Sequence, residues 1–358
     1  MSGFLMGKRV LITGATGSLG GAVIRCVMDE PEEVPRLIRV FSRDEAKQYK
    51  LRATMERLYG RQAGIFEYKI GDVRNLKSLC DALTGIDVVI HTAALKHVPV
   101  CEKNTTEAVE TNIIGAENLV HAVAFHAKGV EKVVALSTDK ACEPFSLMGM
   151  TKAIQERIFA AAMYRTATPF VCVRMGNILM SRGSIVPLFL DQLSRGGPLT
   201  VTDPRMTRFF ITLRQAARNV LTALEYAEAG QVYIPSMKAM TILRLAHALA
   251  GNREIDIRTI GIRPGEKLHD ILYSKDETRY LKSCPAGGYL LEPLFNLSPE
   301  GEGVVPYRDF SSADEDVQMT EKEIEDLLEG ALLQEGTPLT ERCGQVYPVK
   351  RSSPMYSV

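Results

Sequence analysis

The sequence predicts an α/β fold in which a doubly wound parallel sheet carries a smaller C-terminal lobe. Short apolar runs alternate with helical stretches over the first half of the chain, the pattern of a parallel sheet with helices on both faces. Glycines follow the first of these runs, and the alternation loosens after Arg174. The runs that are expected to form strands cover residues 9–13, 37–41, 65–70, 88–92, 133–136 and 170–174.

Composition limits the classes of protein to which this chain can belong. Its 358 residues suffice for one large domain or two closely packed ones, and 46% hydrophobic with 24% charged residues is ordinary for a soluble globular protein. Lys and Arg together number 43, as do Asp and Glu, so no overall field favours nucleic acid or an acidic membrane. Anionic small molecules would have to be bound by local Arg and Lys side chains.

The seven cysteines lack the spacing of a disulfide framework or of a zinc site. None of them forms a C-x-x-C pair, and an odd number in mostly apolar or helical contexts suits reduced thiols. The N-terminus enters a strand without a charged-then-apolar leader, and no apolar run approaches ~18 residues. We therefore expect a soluble cytoplasmic protein without a bound metal.

A glycine-rich turn after the first strand predicts a dinucleotide site. Gly14, Gly17 and Gly20 lie between that strand and the first helix, which is the context of a Rossmann-like phosphate loop. These glycines allow a tight turn and a close approach of the backbone, while the helix N-terminus faces a pyrophosphate. The residues between them that are expected to contact the cofactor are Thr16, Ser18 and Leu19.

The tip of the second strand bears on the choice of cofactor. An acidic residue there would bind the ribose 2′-hydroxyl of NAD, but this strand ends in Ser42 and Arg43. A hydroxyl and a fork-shaped guanidinium suit a 2′-phosphate, so we predict NADP. Asp44 is close enough in sequence to leave NAD as an alternative, and Arg43 could instead be an ordinary surface side chain.

The ends of the third and fourth strands are expected to contact the same cofactor. Asp72 would lie beside the adenine amino group, with Val73 next to it. Ala93 and Ala94 would let the backbone approach the cofactor, although small residues there also suit simple packing. Because the carboxyl ends of parallel strands meet at one edge of the sheet, these residues should line one crevice.

The fifth strand and the helix after it carry the residues with the most chemistry. The strand ends in a polar group that includes Thr138, Asp139 and Lys140, at the edge of the sheet where ligands bind. A helix is predicted from near Met148, which places Lys152 one turn later on the same face. Met148 has no titratable proton, so the function depends on which group does the acid–base work beside it.

The rest of the chain divides into a returning segment, a smaller lobe and a tail. Glycine and proline punctuate the segments after Arg174, and the composition shifts beyond Pro299. The helix and tail at the end are expected to pack on a neighbouring subunit or to stay mobile. The predicted units are a Rossmann domain (1–175) with a returning segment (about 208–235), a substrate-binding lobe (176–207 and 236–298) and a C-terminal helix and tail (299–358).

Taken together, these segments resemble the extended short-chain dehydrogenase/reductase superfamily. The matching motifs lie at 93–99, 138–140, 174–177, 181–184, 202–209 and 263–267. This set looks like the inverting UDP-N-acetylglucosamine 4,6-dehydratases. In the superfamily the helix normally presents Tyr-x-x-x-Lys, and the exchange of that Tyr for Met148 resembles the capsule-type C6-dehydratase/C5-epimerases.

The resemblance implies a redox-neutral dehydration of a UDP-sugar that uses NADP. Hydride would leave sugar C4 for the nicotinamide, a base would take the C5 proton, and the C6 hydroxyl would leave as water. The hydride would then return to C6, and reprotonation of C5 from the opposite face would invert that carbon. The protein would mainly orient the sugar, transfer protons and exclude water.

By the same resemblance, Asp139 would protonate the departing C6 oxygen and Lys140 would remove the C5 proton. The first role needs a raised pKa of Asp139 and the second a lowered pKa of Lys140, whereas adjacent opposite charges oppose both shifts. Proton sharing between the two is the hypothesis that reconciles them. Thr138 would hydrogen-bond the sugar or a proton carrier, Lys152 would hold the nicotinamide ribose, and Met148 would be an apolar surface. The base for the C4 hydroxyl stays open between Lys152, through water, and the Asp139/Lys140 pair.

The resemblance also implies a set of residues for the nucleotide half of the substrate. Cationic side chains would clamp the diphosphate, because charge-assisted hydrogen bonds are the strong ones. A structural role suits His97 about equally well. The residues are Asn177, Arg182, Ser184, Arg208 and Arg263 for the diphosphate, Glu266 for the uridine ribose, and Lys96 and His97 for the sugar pocket, with Lys96 also at the cofactor.

Two other functions remain open at this stage. A nucleotide-sugar 4-epimerase or a 5,6-dehydratase would keep the enzyme class but change its outcome, and an epimerase would use the missing Tyr and would not need Asp139 and Lys140. An NADP-binding sensor or inactive subunit has no evident need for that acid–base pair. Members of this superfamily commonly assemble, so we expect a homo-oligomer, with a hexamer, as in related dehydratases, as one option.

Overall fold

The computed structural model describes residues 3–295 and 305–333, and a nine-stranded sheet forms its centre. The strands are β1 (Arg9–Thr13), β2 (Leu37–Ser42), β3 (Phe66–Ile70), β4 (Val88–His91), β5 (Lys132–Leu136), β6 (Phe170–Val173), β7 (Asn177–Ile178), β8 (Leu199–Val201), β9 (Thr207–Ile211), β10 (Val232–Ile234), β11 (Lys238–Thr241), β12 (Ile257–Thr259), β13 (Ile271–Tyr273), β14 (Leu281–Ser283), β15 (Tyr289–Leu291) and β16 (Phe310–Ser311). The helices are α1 (Ser18–Met28), α2 (Glu45–Tyr59), α3 (Leu76–Leu83), α4 (Val98–Lys103), α5 (Thr105–Val109), α6 (Gly115–Phe125), α7 (Leu147–Ala161), α8 (Ile185–Ser194), α9 (Leu213–Tyr226), α10 (Ile242–Ala250) and α11 (Glu321–Leu333).

The order of the strands creates the crevice that the sequence predicts. From one edge to the other the order is β14-β15-β10-β6-β5-β4-β1-β2-β3, and the strands from β10 to β3 run parallel. The chain winds outward from β1 in both directions, so the carboxyl ends of β1 and β4 flank a topological switch point, where ligands bind in such sheets. The predicted fold class, an α/β doubly wound parallel sheet, is confirmed.

Burial on both faces explains why the central strands are apolar throughout. Every side chain of β4 and of β6 is buried, as expected for parallel strands covered by helices on both sides. Helix α1 packs against α9, while α6 packs between α3 and α7. Each buried Val or Ile in this core contributes about 1.5–3 kcal/mol relative to exposure.

The smaller lobe has a core of its own. It contains the three-stranded sheet β11-β9-β7 and the parallel pair β12–β8, together with α8 and α10. Its buried side chains include Phe189, Leu199, Met240 and Leu245, which form a cluster separate from the main core. This lobe overhangs the carboxyl ends of the parallel strands and therefore supplies the second wall of the crevice.

Two strands extend the main sheet from a region that the sequence assigns to the smaller lobe. β14 and β15 lie within residues 236–298, yet β15 pairs antiparallel with β10 and β14 pairs antiparallel with β15. Leu281 and Leu291 on these strands are buried in the main core. The assignment of the whole segment 236–298 to the substrate-binding lobe is therefore wrong for these strands, because such short runs have no distinct pattern of their own.

Helix α11 packs on the smaller lobe of its own chain. Ile324 and Leu328 are buried in the core of that lobe, beside Met319. Residues 321–333 are therefore held by their own chain, and a contact of this helix with a neighbouring subunit stays a prediction. The remainder of the predicted tail, residues 299–304 and 334–358, lies outside the described residues.

Candidate active site

A cleft of about 940 Å³ lies between the carboxyl ends of the parallel strands and the smaller lobe. All but one of the residues predicted for the site, whether catalytic, cofactor-binding or substrate-binding, line it. They are Gly14, Thr16, Gly17, Ser18, Leu19, Gly20, Ser42, Arg43, Asp72, Val73, Ala93, Ala94, Lys96, His97, Thr138, Lys140, Met148, Lys152, Asn177, Arg182, Ser184, Arg208, Arg263 and Glu266. The exception is Asp139, which is fully buried and contacts Lys140.

The phosphate loop has the close backbone packing for which glycine is needed. Gly14 has a φ of +65°, and a Cβ atom there would lie 2.7 Å from the backbone nitrogen of Ala93. A Cβ atom on Gly20 would lie 2.6 Å from the Cα of Ala15. Helix α1 begins directly after Gly17 without an acidic residue in its first turn, so its free N–H groups suit a pyrophosphate. These features fit a dinucleotide cofactor.

At the far end of the cleft, the side chains beyond β2 separate into a helix cap and a cationic group. The Asp44 carboxylate caps α2 by accepting from the Lys47 backbone N–H at 2.9 Å, and it also pairs with the Lys47 amine. Arg43 is half-exposed, and its guanidinium lies 3.7 Å from the carboxylate of Asp72. Burial would raise the pKa of Asp72, but hydrogen bonds from Arg74 hold it below the ordinary value. Asp44 thus caps α2 and also lines the cleft.

The acid–base group forms one buried cluster after β5. Asp139 and Lys140 lie in a short 3₁₀ turn capped by Thr138, whose hydroxyl donates to Asp139 Oδ1 at 2.9 Å. The Lys140 amine donates to the same Oδ1 at 3.0 Å and to Asp270 Oδ2, also at 3.0 Å. It further donates to Asn177 Oδ1 at 3.3 Å. Asn177 thus lies at this lysine, whereas the sequence assigned it to the diphosphate.

The electrostatics of this cluster agree with the expected acid but not with the expected base. Burial, followed by the charge of Asp270, raises the pKa of Asp139 to about 6 despite the nearby Lys140. Its Oδ2 atom is buried and has no hydrogen-bond partner among the described residues, which disfavours the ionised form of the group. Burial would lower the pKa of Lys140, but Asp139 and Asp270 raise it above its ordinary value. The expected lowered pKa of Lys140 is therefore wrong for this arrangement.

Helix α7 presents Met148 and Lys152 to the cleft. The Ser146 hydroxyl caps this helix by accepting from the Gly149 N–H at 3.0 Å. Met148 is buried against Cys101 and packs as an apolar side chain. The Lys152 amine donates to the Gln155 side chain at 2.7 Å, and burial lowers its pKa to about 8. A neutral lysine is thus accessible at this position near neutral pH.

On the substrate side, one segment of the smaller lobe, residues 181–182, contacts both the phosphate loop and the loop after β4. The Arg182 backbone N–H donates to the Ser18 hydroxyl at 3.0 Å, and its guanidinium donates to the Thr16 carbonyl. Lys96 donates to Ser181 at 3.2 Å. Burial, followed by the charge of Arg182, lowers the pKa of this lysine. These contacts place cationic groups where the two halves of the cleft meet.

Four of the remaining predicted residues have the following surroundings. The ring of His97 packs on Gly183, which has a φ of +72° and no room for a Cβ atom. Ser184 precedes α8, and its buried hydroxyl oxygen has no partner among the described residues. The backbone N–H of Arg263 donates to the Glu266 carboxylate at 3.3 Å, and both residues line the cleft.

The guanidinium of Arg208 is placed differently from the prediction. It donates to the carbonyl oxygens of Thr207, Lys267 and Leu268, and its Nε lies 3.2 Å from Asp270 Oδ2. Four of its five N–H groups are therefore directed at the protein itself. Arg208 serves as an anchor for Asp270 and the neighbouring loop, and the expected role as a diphosphate clamp is not supported by this geometry.

Comparison with known proteins places the chain in a family. The family described as polysaccharide biosynthesis protein matches residues 10–287, which contain the cleft and nearly all of the sheet. The chain belongs to this family. The resemblance that the sequence motifs carry is thereby confirmed at the level of the family.

Similar curated relatives have two different names. An inverting UDP-N-acetylglucosamine 4,6-dehydratase from Campylobacter jejuni is 40% identical over 309 residues, 85% of this chain and 87% of that protein. A UDP-glucose 4-epimerase from Rickettsia bellii is 42% identical over 293 residues, 80% of this chain and 83% of that protein. Sequence identity alone therefore does not distinguish a dehydratase from an epimerase, and the residues of the site have to be considered.

Solved structures share the fold. The X-ray structure of Pen from Bacillus thuringiensis superposes with a TM-score of 0.81 at 33% identity and covers 93% of this chain and 99% of that one. DesIV, a dTDP-glucose 4,6-dehydratase from Streptomyces venezuelae solved with NAD and TYD bound, superposes with a TM-score of 0.65. It is 22% identical and covers 73% of this chain and 86% of that one, a likeness that shows the fold alone.

Asp270 is the site residue that the sequence analysis missed. It lies three residues after the motif at 263–267, so extending that motif to residue 270 would have included it. Its contact with Lys140 joins positions 130 residues apart, which no local pattern predicts. In the part of the chain that the structure describes, no group of three or more His, Cys, Asp or Glu could hold a metal ion, and no helix is long and apolar enough to span a membrane.

Proposed function

We propose that this protein is an inverting dehydratase of UDP-N-acetylglucosamine. The observation that carries the proposal is the contact between buried Asp139 and Lys140, because Lys140 lines the same cleft as Lys152 while Met148 occupies the tyrosine position. Dehydration needs an acid for the C6 oxygen and a base for the C5 proton, and this pair offers both. The identity to the Campylobacter jejuni dehydratase supports the same function.

One shared proton lets the pair act as acid and base together. Asp139 Oδ1 lies 3.0 Å from the Lys140 amine, so transfer of a proton across that contact leaves a neutral amine beside a carboxylic acid. Lys140 then takes the C5 proton while Asp139 gives its proton to the C6 oxygen, which leaves as water. The pair returns to ammonium and carboxylate and again holds one proton. A separate donor on the opposite face returns a proton to C5 and inverts that carbon, and the proton taken up from the C4 hydroxyl during oxidation balances it.

Lys152 is the better candidate for the proton of the C4 hydroxyl. Its pKa of about 8, lowered chiefly by burial, gives a substantial fraction of neutral amine near neutral pH. Lys140, in contrast, is held as an ammonium ion by two carboxylates. Met148 contributes an apolar wall that excludes water from this part of the cleft.

The cofactor in this proposal is a nicotinamide dinucleotide, and specifically NADP. When bound, it supplies the hydride acceptor for C4 and the hydride donor for C6. A structure with the same fold was solved with NAD, which supports the class of cofactor. Ser42, Arg43, Asp44 and Lys47 all line the cleft beyond β2. Asp44 caps α2 and pairs with Lys47, and the two cationic groups there favour a 2′-phosphate.

A 4-epimerase is the second candidate, because relatives from Rickettsia have that name. Epimerisation at C4 requires proton exchange at the C4 hydroxyl and hydride exchange at C4, but it has no step for a buried acid beside Lys140. The two candidates therefore differ in what they predict for one variant. Lys140→Ala should abolish dehydration, whereas an epimerase would keep most of its activity.

The deciding experiment is incubation of the protein with UDP-N-acetylglucosamine and NADP in deuterated water, followed by mass and proton NMR spectra. The expected product is lighter by one water and has a C6 methyl group beside a C4 ketone, with deuterium at an inverted C5. A product of unchanged mass with inverted C4 would identify an epimerase, and an exocyclic methylene would identify a 5,6-dehydratase. UDP-glucose is the matched second substrate, and NADP binding without turnover of either would point to a sensor.

A further inference from the structure

We propose that Asp270 is the positioning residue for the Lys140 amine, an inference that rests on the proposed dehydratase function. Its Oδ2 atom lies 3.0 Å from the Lys140 Nζ, the same distance as Asp139 Oδ1. The amine is thus fixed between a carboxylate from the turn after β5 and one from the start of β13. Asp270 is fully buried, so this contact is shielded from solvent and from salt.

The position of Asp270 is set by contacts with distant parts of the chain. Its backbone N–H donates to the Ser312 hydroxyl at 2.9 Å, and the Ser312 N–H donates to the Asp270 carbonyl at 2.8 Å. The Ser312 hydroxyl also lies 2.7 Å from the hydroxyl of Thr207 on β9. Arg208, next on that strand, places its Nε 3.2 Å from the Asp270 carboxylate. The smaller lobe and the segment before α11 therefore both hold the carboxylate that faces Lys140.

The charges around Asp270 keep it ionised and give it influence over both members of the pair. Burial would raise the pKa of Asp270, but Lys140 and then Arg208 lower it, with a smaller contribution from Lys267. The negative charge of Asp270 raises the pKa of Asp139 and that of Lys140. The other titratable group beside it is His269, whose pKa is lowered, chiefly by burial and then by Arg208.

Two consequences follow for the reaction. The carboxylate fixes the direction of the Lys140 amine, and it moves the pH range over which the pair holds a single proton upward, because its negative charge raises the pKa of both groups. Replacing Asp270 by neutral Asn should therefore lower the pKa of Asp139 and of Lys140 together. A side chain that merely supported the fold would leave both values in place.

The first test is the pH dependence of turnover in the full-length Asp270→Asn variant. We expect kcat to fall by roughly tenfold to a hundredfold because the base is misplaced, with a smaller change in KM. The pH at which kcat reaches half of its value on the acidic side should fall, because it follows the pKa of Asp139. Asp256→Asn is the matched control, since Asp256 is exposed and its carboxylate contacts the exposed Arg258, and it should reproduce the wild-type profile.

The second test needs neither substrate nor turnover. The amine of Lys140 is acetylated with acetic anhydride at a series of pH values, and its peptide is quantified by mass spectrometry relative to the exposed Lys128. In wild type the reaction at Lys140 should be slow until the pH is high, whereas in Asp270→Asn it should accelerate at lower pH, by about tenfold for each unit by which the pKa falls. This measurement tests Asp270 even if UDP-N-acetylglucosamine proves not to be the substrate.

The outcomes separate the proposal from the proposed function. If wild type does not dehydrate the sugar but the labelling shifts as expected, the reaction is wrong and the placement of Lys140 by Asp270 stands. The proposal would be overturned if Asp270→Asn kept the wild-type pH for both the acidic half-point of kcat and the acetylation of Lys140. It would also be overturned if Asp256→Asn shifted these two values as much as Asp270→Asn. Asp270→Glu, which keeps the charge, should restore the labelling profile. If Asp270→Asn lacks the wild-type circular dichroism spectrum, Asp270→Ala takes its place with the same expected shifts.

Discussion

At the scale of single residues, the chemistry depends on how many protons Asp139 and Lys140 hold together. The pKa of Asp139 is raised to about 6. The pKa of Lys140 is also above its ordinary value, because two carboxylates outweigh the effect of burial. Between these values the pair holds one proton, which either residue can carry. Below about pH 6 the pair takes up a second proton, and Lys140 can then no longer pass its proton to Asp139.

We therefore expect kcat for dehydration to increase with pH through two breaks, one at about 6 for the pair and one at about 8 for Lys152, and to level off above the second. Between the breaks the rate should fall about tenfold for each pH unit, and below the first about a hundredfold, because the one-proton form of the pair is then lost as well. The measurement is the rate of product formation by NMR over a series of buffers. Asp139→Asn should lose roughly a hundredfold to ten-thousandfold in kcat while still binding NADP. A rate that instead declines as the pH rises through about 6 would show that a pre-protonated Asp139 acts without proton sharing.

Arg43 is the residue expected to separate NADP from NAD. Its guanidinium is half-exposed, lines the cleft and lies 3.7 Å from the Asp72 carboxylate, which is too far for a tight ion pair. Arg43→Ala should weaken NADP binding by about 1.5–3 kcal/mol, the value of a hydrogen bond to a charged group, and leave NAD binding nearly unchanged. Isothermal titration with both cofactors measures this, with Arg36→Ala, an exposed arginine outside the cleft, as the control. Equal losses for NADP and NAD would contradict a 2′-phosphate site.

At the scale of elements, the start of α7 is fitted tightly to the turn that holds Lys140. A Cβ atom on Gly149 would collide with the carbonyl oxygen of Lys140, so the helix and the turn can approach only because this residue is glycine. Gly330, in α11, is also a helical glycine, but a Cβ atom there would meet nothing within 4 Å. A glycine-to-alanine substitution is therefore crowded at Gly149 and unhindered at Gly330.

Gly149→Ala should displace the Lys140 turn and lower kcat by about a hundredfold, because a shift of about 1 Å at a reacting group costs that much. Gly330→Ala should leave kcat unchanged and stabilise the protein by roughly 0.5–1 kcal/mol, since Ala is the better helix former. Turnover and chemical denaturation of both variants check the pair of expectations. Similar activity in the two variants would show that the turn yields to α7 without consequence.

The sequence is a good guide to the elements whose pattern is long or fully buried. The six predicted strands of the first half are all present. Runs such as 133–136 and 170–174 are short and rich in valine, and this length and composition favour a strand over a helix. β14 and β15 were missed because three-residue strands in a segment rich in turns carry too little pattern. The packing of α11 was missed for another reason, since an amphipathic helix does not reveal which apolar surface it covers.

At the scale of the whole molecule, local motifs located the cleft but not the partners of each side chain. Glycines and polar strand ends were predictable because the topology of the sheet brings them to one edge. The raised pKa of Lys140, the anchoring role of Arg208 and the presence of Asp270 were not, because each depends on a contact between segments far apart in the chain. The chemistry of the site is thus a property of the two lobes together.

The last prediction concerns the nucleotide half of that cleft. Arg263 lies in a loop of the smaller lobe, where it is half-exposed and lies 3.9 Å from Glu266, so its guanidinium can turn to a diphosphate without breaking a tight contact. Arg258, in the same lobe, is exposed and pairs with Asp256 outside the cleft. Arg263→Ala should raise the Kd of UDP by roughly tenfold to a hundredfold, as expected for the loss of a charge-assisted hydrogen bond, whereas Arg258→Ala should not. Because a ligand stabilises the folded state by mass action, the rise in Tm with UDP should shrink in the first variant alone, and an undiminished rise would place the diphosphate elsewhere in the cleft.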